Sequence, residues 1–293
     1  MSEVLDQLVS LLSLEKVDTD KYLGQSQDLG FGQLFGGQLL AQSLMAASLT
    51  AEGFSSHSLH AYFLQPGGTT DPITFHVDRI RDGKSFVTRR VIAIQNDIEI
   101  FTANVSFHAD EDGHEHQSEM PTVAPPEDLV SELKIRRKFA QFIPEKVRDK
   151  FTQDTPIEIR SVKPYNYLKP EKLEPLKDIW IKAVGTLPDE QILQRCLLAY
   201  SSDFSLLGTS MNPHAFHGMM PGVQIASLDH AIWFHHDIDM ADWLLYSMDS
   251  PSASHGLGFN RGSIFSRDGK LLASVAQEAL IRNKHAFPKK SKG

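Results

Sequence analysis

The segment Gly222-Val-Gln-Ile-Ala-Ser-Leu-Asp-His-Ala-Ile-Trp-Phe-His235 decides how the rest of the chain is interpreted. Its apolar core, residues 225–234, is interrupted only by Ser227 and by the pair Asp229-His230. Such a run of β-branched and aromatic residues predicts a central β-strand. A serine inside it is either packing filler or a polar group placed for chemistry, so the segment also indicates where to search for a functional site.

An upstream segment, Ser58-Leu-His-Ala-Tyr-Phe63, repeats the Ser-Leu and His-Ala pairs of this strand in the same order. Two other residues recur at one common separation along the chain, Arg90 as Arg261 and Asp78 as Asp249, and the same separation aligns Ser106 with Gln277. A repeat of this length is too long for a solenoid unit. It predicts instead that one domain is present twice.

The composition is that of a globular protein without disulfides. The 293 residues are 41% apolar and 23% charged, which suffices for one large domain or two ordinary ones. The single cysteine, Cys196, excludes an intramolecular disulfide and a cysteine-based zinc site, and it fits a reducing compartment. The net charge of −8 argues against general nucleic-acid binding.

Neither a membrane span nor a secretory signal is predicted. No run approaches the roughly 18 apolar residues of a membrane helix, and the first residues lack the basic and apolar regions of a signal peptide. The basic tail, residues 288–293, is similar to a peroxisomal Ser-Lys-Leu ending but closes on glycine. We therefore expect a cytoplasmic protein.

Apolar periodicity predicts helices and strands in the same order in both halves. Helices are expected at residues 5–12, 38–49, 129–142 and 188–203. Strands are expected from residue 22 and at 57–64, 73–81, 85–95, 99–108, 157–162, 179–184, 223–234, 243–250, 257–266 and 271–282. Short turns such as Asp82-Gly83 and Asp268-Gly269 connect successive strands, so the sheets are expected to be mostly antiparallel.

This order predicts an α+β double hotdog, in which two tandem repeats each wrap a mostly antiparallel sheet around a long helix. We expect an N-terminal hotdog domain at 1–112, a linker at 113–128 and a C-terminal hotdog domain at 129–287, followed by the tail. Alignment of the two repeats places an insertion at residues 204–222 in the second repeat.

Motifs of several other enzyme classes are absent or misplaced. The chain contains no Gly-x-Ser-x-Gly and no P-loop, which argues against a nucleophile-elbow hydrolase and a P-loop NTPase. The glycine patterns at 30–36 and 256–262 are one residue too long for a dinucleotide fingerprint. The pairs His114-Glu-His116 and His235-His236 lack the helical spacing of zinc ligands, so no metal site is expected.

Several motifs resemble, in order, those of bacterial acyl-CoA thioesterase II, a family related to the peroxisomal acyl-CoA thioesterases. They are Phe35-Gly-Gly-Gln38, His57-Ser-Leu-His-Ala-Tyr-Phe-Leu-x-Pro66, Arg81-Asp-Gly-Lys-Ser-Phe86, Tyr200-Ser-Ser-Asp203, Ser227-Leu-Asp-His-Ala-Ile-Trp-Phe-His235 and Gln277-Glu278. The resemblance extends from Leu5 to about Asn283. It implies a double hotdog that hydrolyses medium- or long-chain fatty acyl-CoA to free fatty acid and coenzyme A, without a cofactor.

The resemblance also implies that Asp203, Ser227 and Gln277 hold the attacking water, with Ser227 in a position where the bacterial form has threonine. An aspartate with an unperturbed pKa near ~3.9 is a poor base, but burial raises its pKa and improves it. Serine and glutamine can donate or accept hydrogen bonds to orient water. The alternatives are that Asp203 ends a helix, that Ser227 fills space and that Gln277 lies on an edge strand.

The residues Gly36-Gly37-Gln38 open the first buried helix, whose free N–H groups would bind the oxyanion. The alternative is a tight turn. Only one active centre is expected in each chain, because no carboxylate occurs among the first-half counterparts of the three catalytic residues, Thr50, Ser58 and Ser106. Two other histidines are weaker candidates for the base, His57 and His60.

Coenzyme A carries several phosphates, so a local positive charge is needed in a net negative chain. Five cations cluster around one predicted hairpin and form the candidate phosphate site: Arg79, Arg81, Lys84, Arg89 and Arg90. A solvated sheet face is the alternative. By analogy with other hotdog proteins, we expect a homo-oligomer, a dimer or a tetramer.

Two other functions remain open at this point. A hotdog hydratase or dehydratase would use a His/Glu or Asp/His pair near the helix. A catalytically inactive module would bind acyl-CoA without turning it over. Thiol release, enoyl hydration and saturable binding without turnover distinguish the three.

Overall fold

A single antiparallel sheet of 13 strands runs through the computed structural model, which describes residues 2–284. The helices are α1 (Glu3–Leu12), α2 (Gly36–Ser48), α3 (Glu132–Lys138), α4 (Glu145–Thr152), α5 (Gln191–Ser202) and α6 (Leu206–Thr209). The strands of the first half are β1 (Glu15–Asp18), β2 (Lys21–Gly24), β3 (Ser55–Phe63), β4 (Ile73–Asp82), β5 (Phe86–Gln95) and β6 (Ile98–His108). Those of the second half are β7 (Ile157–Ser161), β8 (Leu176–Ala183), β9 (Val223–Ser227), β10 (Asp229–Phe234), β11 (Leu244–Ser254), β12 (Leu257–Phe265) and β13 (Leu271–Asn283).

The two halves join where β3 pairs with β10. The strand order is β1-β2-β4-β5-β6-β3-β10-β13-β12-β11-β8-β7, with β9 paired to β13 alone. Leu59 lies opposite Ile232, and Ala61 lies opposite His230. The two echoing segments of the sequence are therefore adjacent antiparallel strands at the centre of the sheet, and the predicted double hotdog is confirmed.

The sheet curves around two buried helices, α2 and α5, which pack against each other. Leu40 and Leu44 of α2 and Leu197 and Leu198 of α5 are fully buried. Burial of one such side chain contributes roughly 1.5–3 kcal/mol. Helix α2 is apolar on most faces because β3, β4, β5 and β6 pack against it and α5 covers part of the remainder.

An Asp–Arg ion pair occurs at equivalent positions in the two repeats. Asp78 on β4 lies opposite Arg90 on β5, and the Nε atom of Arg90 donates to its carboxylate at 2.8 Å. Asp249 on β11 lies opposite Arg261 on β12, and the corresponding Nε–Oδ1 distance is 3.0 Å. The common separation seen in the sequence thus corresponds to equivalent positions in the two repeats.

The segment that joins the repeats differs from the sequence prediction. Residues 109–125 form no helix or strand, but Met120 and Val123 pack on the outer tryptophan cluster of the second repeat. The helix expected at 129–142 is shorter, and the additional helix α4 begins at Glu145, directly after its N-cap residue Pro144. Proline lacks an N–H and therefore ends one helix while it can precede the next. The expected insertion folds as α6 and a short 3-10 turn.

The described residues do not test the predicted tail or the predicted domain boundaries. The basic tail at 288–293 lies outside the described residues, and the domain boundaries stay a prediction. Within residues 2–284, no helix has both the length and the hydropathy needed to cross a membrane.

Candidate active site

The long strand predicted at 223–234 is interrupted, and the interruption builds the site. Ser227 lies opposite Ala279, whereas Ala231 lies opposite Ala276, so the β9–β10 segment contains one residue more than β13 between these pairs. At this β-bulge, the Asp229 carboxylate accepts the backbone N–H of Glu278 at 2.7 Å. Bulges redirect side chains and are common beside active sites. Here the bulge brings the Ser227 hydroxyl within 3.0 Å of the Gln277 amide nitrogen.

Asp203 reaches the same point from the end of α5. It is the residue that caps this helix, as the alternative interpretation of the sequence held, and its side chain turns toward α2. Its Oδ2 atom accepts the backbone N–H of Gly37 at 2.9 Å, and its Oδ1 atom lies 3.5 Å from Ser227 Oγ. The structure therefore brings the three predicted catalytic residues together in one cluster.

Burial gives Asp203 the pKa of a usable base. The residue keeps some accessible surface, but protein packs closely around its carboxylate. This desolvation raises the pKa to about 6, against the lowering effect of hydrogen bonds from Gly37, Gln277 and Ser227. The N-terminus of α2 adds a partial positive charge that favours the ionised form. Near pH 7 the carboxylate is mostly ionised while its proton affinity is well above that of a solvated aspartate.

A buried histidine stands behind this cluster. The Nδ1 atom of His230 lies 2.6 Å from Gln277 Oε1, and its Nε2 atom lies 3.0 Å from Ser202 Oγ. His230 is 1% exposed, and desolvation lowers its pKa to about 4, so the imidazole is neutral near pH 7. Sequence reasoning did not assign a function to it, although a histidine that follows Ser227 by three positions in an apolar strand was an available signal.

The predicted oxyanion residues lie at the cluster but in different roles. The Gly37 N–H is occupied by Asp203 rather than open to an oxyanion. The Gln38 N–H donates to the Phe35 carbonyl oxygen at 3.1 Å, and the Gln38 side chain turns away, donating to the Gln25 carbonyl oxygen and the Gln42 amide oxygen. A Cβ atom on Gly36 would lie 2.7 Å from Asp203 Oδ2, so glycine is required for this approach. The expectation for Gly37 and Gln38 is corrected accordingly, because the helix start binds the base.

The predicted phosphate site is not assembled around the cluster. Arg89 is 1% exposed and donates to the Thr50 hydroxyl and to the Thr50, Arg81 and Thr88 carbonyl oxygens, and it also pairs with Asp82. Thr50 follows the far end of α2, about 20 Å from Gly37 at 1.5 Å per residue. Arg89 therefore has no donor left for a phosphate, and its assignment is corrected.

The other cations of the hairpin divide into two groups. Arg79 forms a bidentate pair with Asp20, and Arg90 pairs with Asp78. Arg81 and Lys84 form no ion pair within residues 2–284. Only these two remain available to an anion without breaking an existing pair.

The weaker candidates for the base lie elsewhere. His57 bonds to Ser106 at 2.8 Å, and His60 packs edge-on against Trp233. Both belong to β3 of the first repeat. There Thr50, the counterpart of Asp203, bonds to Arg89, and Ser106, the counterpart of Gln277, bonds to His57. The described residues therefore contain one cluster of the predicted kind, built from the second repeat and the start of α2.

Aromatic side chains line the approach to Gly36. Phe63 lies 2.9 Å from the position of a Cβ on this glycine. Phe35 stacks on Phe204 with ring centroids 4.5 Å apart, and half-exposed Phe31 lies 6.0 Å from Phe35. An apolar surface thus adjoins the carboxylate.

Both repeats match known acyl-CoA thioesterases. A family model described as acyl-CoA thioesterase matches residues 146–280, and a model of the acyl-CoA thioesterase N-terminal domain matches residues 26–108. The chain is 42% identical to acyl-CoA thioesterase 2 of Haemophilus influenzae, over 96% of this chain and 99% of that protein. It is 37% identical to acyl-coenzyme A thioesterase 8 of Mus musculus, over 94% and 89% of the two chains.

Solved structures show the same likeness in three dimensions. The crystal structure of an acyl-CoA thioesterase II, TesB2, from Mycobacterium marinum superimposes with a TM-score of 0.77 at 36% identity. The superposition covers 95% of this chain and 99% of that one. A tesB protein of Mycobacterium avium subsp. paratuberculosis gives a TM-score of 0.79 at 29% identity, covering 96% and 100% of the two chains.

Proposed function

The chain belongs to the acyl-CoA thioesterase family, and from that premise we propose that Asp203, Ser227 and Gln277 hold the water that hydrolyses a fatty acyl-CoA. The observation that supports this most strongly is the Asp203 carboxylate, whose raised pKa and three hydrogen-bond donors suit a general base. The protein is a thioester hydrolase, and the proposal concerns which residues carry out the hydrolysis.

The donors and acceptors of the cluster leave a defined place for water. A hydroxyl has one proton and two lone pairs. The Ser227 proton points to Asp203, and one Ser227 lone pair accepts from Gln277. The second lone pair is free to accept one proton of a water whose other proton points to Asp203. A lone pair of the water oxygen then faces the thioester carbonyl carbon.

The 3.5 Å separation of Ser227 Oγ from Asp203 Oδ1 fits this arrangement. It exceeds the 2.7–2.8 Å of a typical O–H···O bond, and hydrogen bonds of this length are weak. A water that touches both groups would replace part of this contact and draw the two side chains toward itself.

The reaction then needs no covalent intermediate on the enzyme. Asp203 takes a proton from the water as the water oxygen bonds to the carbonyl carbon. The tetrahedral intermediate collapses with cleavage of the carbon–sulfur bond. The coenzyme A thiolate leaves and receives the proton from Asp203, which regenerates the base and gives free fatty acid and coenzyme A.

The aromatic side chains beside Gly36 suit a medium- or long-chain acyl group. Phe31, Phe63 and Phe204 keep exposed surface beside the buried Phe35 and offer apolar contact that a short acetyl group would not fill. Each buried methylene contributes about 0.8 kcal/mol, so an acyl chain of several carbons gains binding energy there.

The direct test follows free thiol with a thiol-reactive dye during incubation with hexanoyl-CoA, decanoyl-CoA and palmitoyl-CoA. We expect steady thiol release that is faster with the two longer substrates and is strongly reduced in Asp203→Asn. Hydration of an enoyl-CoA without thiol release would instead establish a hydratase. Saturable binding of palmitoyl-CoA without turnover would establish a binding module.

A further inference from the structure

His230 is hydrogen-bonded to one member of the proposed catalytic trio, Gln277. Both ring nitrogens are within hydrogen-bond distance of a side chain, Nδ1 of Gln277 and Nε2 of Ser202. The ring is 1% exposed, so neither water nor an acyl-CoA reaches it. We propose that His230 is a positioning residue, which fixes the orientation of the Gln277 amide and so keeps its NH₂ group on Ser227 and Asp203. This inference rests on the proposed role of Gln277.

The direction of each hydrogen bond follows from the one before it. A carboxylate only accepts, so Ser227 donates to Asp203 and accepts from the Gln277 NH₂ group. The Gln277 carbonyl oxygen therefore faces His230, whose Nδ1 atom must carry the proton. In the neutral imidazole Nε2 is then an acceptor. The Ser202 hydroxyl has a single proton and two acceptors in reach, the Ala199 carbonyl oxygen at 2.9 Å and His230 Nε2 at 3.0 Å, and this hydrogen-bond order requires the proton on the Nε2 side.

The opposite orientation of the Gln277 amide would remove hydrogen bonds from the Asp203 carboxylate. With Gln277 reversed, its carbonyl oxygen would face the Ser227 hydroxyl and the Asp203 carboxylate. Ser227 would then donate to Gln277, and Asp203 would lose two of its donors. The short 2.6 Å contact from His230 to the carbonyl oxygen opposes this reversal. The His230 ring is itself held by Ser202, the last residue of α5, whose carbonyl oxygen accepts the Tyr246 hydroxyl at 2.8 Å.

The test is a double-mutant cycle between His230 and Gln277, with kcat and KM measured on palmitoyl-CoA. His230→Leu removes both ring nitrogens at similar volume. We expect it to lower kcat about 10- to 100-fold with KM changed less than about 2-fold, since one oriented hydrogen bond at the reacting group is lost. In a Gln277→Ala background, the same change should alter kcat less than about 3-fold, because no amide remains to be oriented.

Conservative variants separate positioning from packing. In His230→Asn the amide NH₂ occupies the place of Nδ1 and can donate to Gln277, so much of the activity should return. In His230→Gln the amide lies farther from the backbone, toward Ser202, so kcat should stay low. Folding of every variant is checked by circular dichroism and thermal unfolding.

A matched serine pair supplies a test in which the histidine itself is retained. Ser202→Ala removes the proton that holds Nε2 as an acceptor and should lower kcat several-fold. Ser201→Ala removes a neighbouring buried hydroxyl that bonds to the Leu197 carbonyl oxygen, and kcat should not change. Equal effects of the two changes would contradict the proposal even if His230→Leu failed to fold.

The outcomes distinguish this inference from the proposed function. If Gln277→Ala lowers kcat but His230→Leu acts by the same factor in both backgrounds, His230 only supports the fold. If His230→Leu leaves kcat unchanged, it does not position the amide. If Gln277→Ala itself leaves kcat unchanged, the assigned role of Gln277 fails, and the role of His230 fails with it.

Discussion

The carboxylate of Asp203, which caps one buried helix, accepts the backbone N–H of Gly37 at the start of the other, at 2.9 Å. This contact crosses between the two repeats, so the proposed base belongs to the second repeat while part of its environment comes from the first. The active centre therefore depends on how closely α2 approaches α5.

The close approach predicts an unusual sensitivity at Gly36. A Cβ atom there would lie 2.7 Å from Asp203 Oδ2 and 2.9 Å from Phe63. Gly36→Ala should lower kcat by about 10-fold or more, because small displacements of a catalytic group are costly. In Gly113→Ala the new methyl group meets no atom within 4 Å, and kcat should be unchanged. Equal activities of the two variants in the thiol-release assay would show that the helix start does not set the position of Asp203.

The ionised form of Asp203 should lower the free energy of unfolding. Its pKa is raised in the folded state, so the folded protein binds the proton more tightly than the unfolded chain does. Stability from this group is complete below the unfolded pKa of about 3.8, falls as pH rises toward 6 and stays low above that. Asp203→Asn should therefore raise the free energy of unfolding by about 2–3 kcal/mol at pH 8 and by much less at pH 4.

Urea unfolding of wild type and Asp203→Asn at both pH values checks this expectation. If Asp203→Asn raises the free energy of unfolding equally at pH 4 and pH 8, the charge of Asp203 is not the cause of the change.

Ser227 should contribute through its hydroxyl and not as a nucleophile. Ser227→Ala should lower kcat about 10- to 100-fold, since a hydrogen bond to a charged group is worth roughly 1.5–3 kcal/mol. Ser227→Thr should retain activity because it keeps the hydroxyl, and Ser227→Cys should not exceed wild type. A single-turnover experiment with radiolabelled acyl-CoA should leave no label on the protein. A trapped acyl-Ser227 would instead make this residue the nucleophile.

Adjacent arginines on β5 should behave very differently. Arg89 is buried and donates to the buried Thr50 hydroxyl and carbonyl oxygens. Arg89→Met leaves both without this donor and should destabilise the fold by about 2–4 kcal/mol, with KM for acyl-CoA unchanged. Arg90 forms an exposed pair with Asp78, and Arg90→Met should cost less than about 1 kcal/mol. Urea unfolding measures both. A large rise in KM with normal stability in Arg89→Met would restore the phosphate role that its burial argues against.

The double-hotdog architecture and the three residues of the proposed catalytic cluster could be predicted from the sequence. Alternating strands, the apolar helix at 38–49 and the recurring Asp78–Arg90 and Asp249–Arg261 pairs depend on periodicity and spacing, which are local properties. The resemblance supplied Asp203, Ser227 and Gln277, and the fold brings these distant residues together.

The sequence could not supply contacts that depend on how the repeats dock. Whether Gly37 N–H meets an oxyanion or Asp203 is set by the packing of α2 on α5. Arg89 looks like any strand cation in the sequence, yet its side chain turns inward to the end of α2. The bulge at Leu228 appears only as a shift of one residue between pairs on β13, which no local pattern reveals.

The pH dependence of kcat/KM in wild type and in Asp203→Asn tests most directly whether Asp203 is the general base. In wild type, kcat/KM should fall as pH drops below about 6, because protonation of Asp203 removes the base. The buried His230, with a pKa lowered to about 4, does not titrate in this range. Asp203→Asn should lower kcat about 100-fold or more, and its residual kcat/KM should lose the dependence near pH 6. A folded Asp203→Asn with near-normal kcat, or with the same fall near pH 6, would contradict the assignment of Asp203 as the base.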